Sequence, residues 1–76
     1  MTTNELEIWT ICESPSDYPG KYTLRRHVIA AGLTFADQNC IISDALEPLR
    51  ARMRARHLHC LGRLEHDDPV IVESWI

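Results

Sequence analysis

Four histidines and three cysteines are many for a chain of 76 residues, so the search for chemistry starts with them. His57, His59 and Cys60, with His66 downstream, are metal-ligand types. Structural zinc sites are built from pairs such as C-x-x-C set at a fixed distance from a second pair, and neither is present, so no metal is expected. The simpler reading has His57 ending a helix, where its charge favours the dipole, and Cys60 entering the core as a small apolar group. A Cys-His nucleophilic site could be drawn from Cys12, Cys40 or Cys60, but no nucleophile elbow, glycine cradle or oxyanion-forming motif accompanies them. Asp67 and Asp68 beside Pro69 read as a solvated turn before a last strand rather than as an acid-base pair. Gly20, Gly32 and Gly62 stand alone, so no phosphate-binding loop is formed. A non-enzymatic protein without catalytic residues, cofactor or metal is expected.

Arg50, Arg52, Arg54 and Arg56 are the other concentrated chemistry. Alternation on a helix splits them into Arg50 with Arg54 on one flank and Arg52 with Arg56 on the other. Two readings follow. Their methylene stems lie over the edge of the core and their charges favour the helix C-terminal half, or they form a basic ridge for phosphates or an acidic protein surface.

The element that carries them is the segment Ser43 to His57. Leu46, Leu49, Met53 and His57 recur at helical spacing on one stripe, with Ala51 and Ala55 opposite. Ser43 or Asp44 can cap the first amides, with Glu47 three residues after Asp44 in capping-box position. Pro48 conflicts with a start that early, so either the first turn is loosened or the regular helix begins at Pro48 itself.

The remaining segments read as strands and turns. Leu6 to Glu13 is β-branched and aromatic, with Leu6, Ile8, Thr10 and Cys12 on one face and Glu7, Trp9, Ile11 and Glu13 on the other. SPSDYPG is a turn-forming loop. Lys21 to Ala30 gives a second strand, in which Arg25 and Arg26 point to opposite faces and can pair with Glu7, Glu13 or Glu73 across the sheet. The pattern breaks around Gly32 and Asp37, NCIIS makes a short third strand, LHCLGRL a fourth, and VIVESWI a last. The order β-β-β-α-β-β predicts an α+β fold: a mainly antiparallel sheet of four to five strands with one α-helix packed on one face, in a single domain spanning 1–76.

One helix covers one face, yet the strands offer apolar groups on both. With Leu46, Leu49 and Met53 on one side, Trp9, Ile11, Ile71 and Trp75 would be left on the other, a patch that calls for cover. Either the loop 14–20 or the loop 31–38, with Tyr18, Leu33 and Phe35, folds over it, or it is a homodimer face or the docking site of another protein. The expected partner-binding residues are thus Trp9, Ile11, Ile71 and Trp75, together with Arg50, Arg52, Arg54 and Arg56.

Composition sets the limits. A hydrophobic fraction of 45% with 25% charged residues is that of an ordered chain, and at this length the core is small. The net charge of −3 comes from acidic ends bracketing a basic middle, which argues against general nucleic-acid binding. Three cysteines cannot all pair within one chain and no signal-peptide pattern opens it, so reduced thiols and a cytoplasmic protein are expected. No apolar run reaches the length of a membrane span.

Trp9-Thr10-Ile11, then Ser16-Asp17-Tyr18-Pro19-Gly20-Lys21-Tyr22 with Arg25-Arg26, and finally Asp67-Asp68-Pro69-Val70-Ile71-Val72-Glu73-Ser74-Trp75-Ile76 carry a resemblance. The chain resembles a group of small uncharacterised proteins encoded by bacteriophages and prophages, which share a W-T-I start, a D-Y-P-G loop and a D-P-x-I-V-E-x-W-I end. The likeness covers about two thirds of the chain and is weakest over residues 31–60. It implies a host-cell cytoplasmic protein that acts by binding a host complex, in the manner of inhibitors of CRISPR immunity, and it implies no catalytic residues. The alternatives are a homodimeric structural or regulatory phage module without an immune target, and a weak nucleic-acid binder through the helix arginines.

Overall fold

The computed structural model describes residues 5–63 and 67–76. Strand β1 (Glu5–Glu13) is followed by β2 (Tyr22–Ala30), β3 (Leu33–Ser43), the helix α1 (Glu47–Ala55), β4 (Cys60–Gly62) and β5 (Ile71–Trp75). The five strands form one sheet in the order β3-β2-β1-β5-β4, with every pairing antiparallel. This is an α+β arrangement, and β1, whose residues alternate apolar groups to both sides, lies at its centre. Among the described residues, no helix is long and apolar enough to cross a membrane.

Local chemistry explains the connections. The loop between β1 and β2 closes through Ser14, whose N–H donates to the Lys21 carbonyl at 2.7 Å and whose Oγ accepts from the Gly20 N–H at 2.9 Å. The β2–β3 connection is a two-residue hairpin, Ala31-Gly32, with φ of 52° and 78°. Two successive positive φ values give the turn twist that suits flanking strands. β3 is longer than NCIIS and takes in Leu33 to Gln38. The break expected near Asp37 is a bulge within the strand: Arg25 faces Cys40 and His27 faces Ala36, so one residue of β2 spans residues 37–39 of β3.

The helix starts later than a Ser43 or Asp44 cap would require. Leu46 is the capping position and no side chain caps it. Ser43 instead exchanges hydrogen bonds with Ala45, and Asp44 is ion-paired with Lys21. Pro48 then falls in the first turn, where its missing N–H leaves no bond unmade. At the other end the His57 N–H donates to the Arg54 carbonyl at 2.9 Å and the Leu58 N–H to the Met53 carbonyl at 3.2 Å. With His57 at φ 60°, these two bonds form the Schellman closure, and Leu58 packs against the core as that motif favours. His57 is exposed and lies off the apolar stripe.

The buried core is Ile11, Leu24, Leu49, Met53 and Trp75, with Trp9, Tyr22, Ile41, Leu46, Leu58 and Val72 packed around it. Each large side chain so buried contributes about 1.5–3 kcal/mol. The core corrects the expected placement of the helix: α1 lies on the tryptophan side of the sheet, not opposite it. Ile11 is fully buried and Trp75 is 5% exposed, so neither is available to a partner. Residues 31–38 do not fold over this face; they form the hairpin, and Leu33 and Phe35 are exposed. Ile71 is parted from Trp75 by an irregularity in the β1–β5 pairing, where Ile11 faces Glu73 but Cys12 faces Ile71. The extra residue shifts Ile71 out of strict alternation and onto the face of Cys12. Cys60, expected inside, is exposed, and all three cysteines are free.

Candidate functional site

With the helix over Trp9, Ile11 and Trp75, the sheet face left without it carries Ile8, Thr10 and Cys12 of β1, Thr23, Arg25, His27 and Ile29 of β2, and Thr34 of β3. These residues line a groove of about 440 Å³, completed by Pro15 and Asp17 of the first loop and by Asp68, Val70 and Ile71 before and within β5. Ligand and peptide clefts share this constitution: apolar walls with a few convergent polar groups. Period-2 alternation delivers it. On β1 and β2 every second residue faces the helix, and the intervening ones face the groove.

The polar groups in the groove act on one another. Arg25 is the pivot, since its guanidinium lies 3.7 Å from an Asp17 carboxylate oxygen and the residue faces Cys40 on the neighbouring strand. Burial and the adjacent Arg25 charge hold His27 below the ordinary imidazole range, which favours the neutral ring at pH 7. Burial pushes the Cys12 thiol up, with nearby Asp68 adding to the effect and Arg25 opposing it. A thiol kept protonated in this way is a poor nucleophile. The groove therefore offers apolar contact around an imidazole whose neutral form is favoured and a guanidinium beside Asp17.

On the opposite face the arginines of α1 are largely engaged within the molecule. Arg50 grips Glu73 with two nitrogens, Nε at 3.1 Å and Nη2 at 2.7 Å from Oε1. Arg56 reaches Glu7 at 3.4 Å and sits 4.9 Å above the Trp9 ring, so half-buried Trp9 is shielded by a cation of its own chain. Arg54 pairs with Glu47 on its own helix. Arg52 is exposed and has no ion pair among the described residues. Arg50 and Arg56 thus tie the helix to the sheet, and three of the four arginines have carboxylate partners within the molecule.

The sequence carried a signal for this arrangement that composition alone misses. Glu7-Ile8-Trp9 and Glu73-Ser74-Trp75 are the same E-x-W pattern on two strands, and Trp9 and Trp75 are cross-strand partners. In each, the indole N–H donates to the glutamate two residues earlier, at 2.6 Å in both cases. Burial alone would raise both carboxyls. At Glu73 the hydrogen bonds from Arg50 and Trp75 outweigh it, and at Glu7 those from Trp9 and Arg26 do, with Arg26 and Arg56 adding their charge. Both carboxyls end below the usual carboxylate range.

Among the described residues, no group of three or more metal-ligating side chains converges; His66, one of the four histidines, lies outside the described residues. His59 pairs by backbone with Ile76 in both directions, at 2.8 and 3.0 Å, which fixes the chain entering β4. No family model, curated protein or solved structure matches this chain.

Proposed function

We propose that this protein is a non-enzymatic interaction protein and that its partner-binding surface is the helix-free face of the sheet. The observation that supports this reading is the groove itself: Ile8, Ile29, Val70 and Ile71 line it around Arg25 and His27, while the tryptophan face is closed by α1. An apolar side chain of a partner fills such a groove, and the Arg25 guanidinium fixes its register through an acceptor on the partner. The phage-protein resemblance supplies the class of partner, a bacterial effector complex of CRISPR immunity that is occluded on binding.

Co-purification with such a complex, and loss of target-DNA binding by it, test the proposal together. A groove variant, Ile29→Lys, is expected to lose both while keeping a native circular dichroism spectrum. Failure of the wild-type protein to bind any such complex removes the inhibitor reading. Binding that survives every groove substitution removes the groove.

A further inference from the structure

The sheet has two edges, and they are built differently. β4 is three residues long, the short edge by which soluble proteins avoid strand addition. β3 is eleven residues long, and among the described residues no backbone hydrogen bond runs outward from it. Its bulge at 37–39 blunts the middle of that edge, which leaves the regularly paired stretch Leu33-Thr34-Phe35-Ala36 next to the hairpin turn. This stretch carries no charge, the usual protection of an exposed edge, and Leu33 and Phe35 stand 60% and 55% exposed on it.

Register decides what this edge can accept. Ala30 and Leu33 close a two-residue hairpin, so they are a hydrogen-bonded pair, and Ile29 and Thr34 are the next, non-bonded pair. The Thr34 N–H and C=O therefore point away from β2, towards an added strand. The stretch is also self-complementary. In an antiparallel pairing about a two-fold axis at Thr34, Thr34 of each copy exchanges both hydrogen bonds with its counterpart. Leu33 of one copy then lies opposite Phe35 of the other, twice over, on the same face as Val28. No like charges meet anywhere in this register.

We infer that β3 is the interface of a homodimer, in which two copies join edge to edge across Thr34 into one continuous sheet. The axis is perpendicular to the sheet, so both helices lie on one face. Both grooves lie on the other, with Thr34, itself a groove residue, at the seam. The dimer thereby presents two copies of the groove side by side.

Sedimentation of the full chain across a concentration series tests this. The mass is expected to rise with concentration from 8.7 kDa towards twice that value and to stop there. Thr34→Pro removes an outward N–H that the hairpin does not use and is expected to weaken association at least ~10-fold, with an unchanged circular dichroism spectrum. Thr34→Val keeps that N–H and is expected to associate like the wild type. Leu33→Lys with Phe35→Lys, which puts like charges across the seam, is expected to give a monomer. A wild-type chain that stays monomeric up to about 1 mM, assemblies that grow beyond two copies, or a dimer indifferent to Thr34→Pro and to the double lysine variant would each overturn it.

Discussion

Glu73 is a buried carboxylate held from two sides: at 4% exposure it accepts from Arg50 on the helix and from the Trp75 indole on its own strand. Removing it leaves the indole N–H buried without an acceptor and removes one of the ion pairs that tie the helix to the sheet. Glu73→Ala is expected to cost about 2–4 kcal/mol in urea unfolding, whereas Glu47→Ala, whose ion pair with Arg54 is exposed, is expected to cost less than about 0.5 kcal/mol. The pH dependence follows from direction alone. His27 and Glu73 both have folded-state values below their ordinary ones of 6.5 and 4.5, so each stabilises the fold fully above its ordinary value and loses that contribution as pH falls. Stability is expected to decline in two stages on acidification, first below about pH 6.5 and again below about pH 4.5. In a pH series of denaturant melts, His27→Asn should remove the first stage and leave the second.

The elements set their own boundaries by local chemistry, and that is testable at the turns. Ala31 and His57 both hold positive φ, 52° and 60°, a conformation that costs a side chain with a Cβ about 1 kcal/mol. Ala31→Asn, which turns the hairpin into Asn-Gly, and His57→Gly at the helix end are each expected to stabilise by about 0.5–1 kcal/mol, read as a rise in Tm. Leu49→Ala, in contrast, empties a fully buried position under the helix and is expected to cost about 2–5 kcal/mol. The same elements show what a sequence can and cannot convey. Leu46, Leu49 and Met53 announced the helix, and alternation in Leu6 to Glu13 announced both faces of β1. Nothing local told which face the helix would take, because Ile8 and Ile11 are equally apolar. The partners that meet on the chosen face, Arg50 with Glu73 and Arg56 with Glu7, are 23 and 49 residues apart. Nothing local reveals the face of Ile71, because the strand irregularity that changes it has no glycine or proline at the shift. Leu33 and Phe35 follow no strong hairpin signal, because Ala31-Gly32 lacks the asparagine that marks such turns.

For the whole molecule, coverage decides which sheet face stays open. Among the described residues one helix closes one side of the sheet, with Arg50–Glu73 and Arg56–Glu7 bridging the two. Six of its cations are ion-paired with its own carboxylates among the described residues. The groove behind Ile8, Ile29 and Ile71 retains the apolar surface together with Arg25 and His27. The most direct measurement is a binding titration of the wild-type chain, Ile29→Lys and Arg52→Glu against an isolated CRISPR effector complex, with all three proteins checked for native circular dichroism. Ile29→Lys is expected to lose at least ~10-fold in affinity while Arg52→Glu, on the outer surface of the helix, binds like the wild type. The reverse pattern, with Ile29→Lys unaffected and Arg52→Glu impaired, would contradict the assignment of the binding surface to the helix-free face.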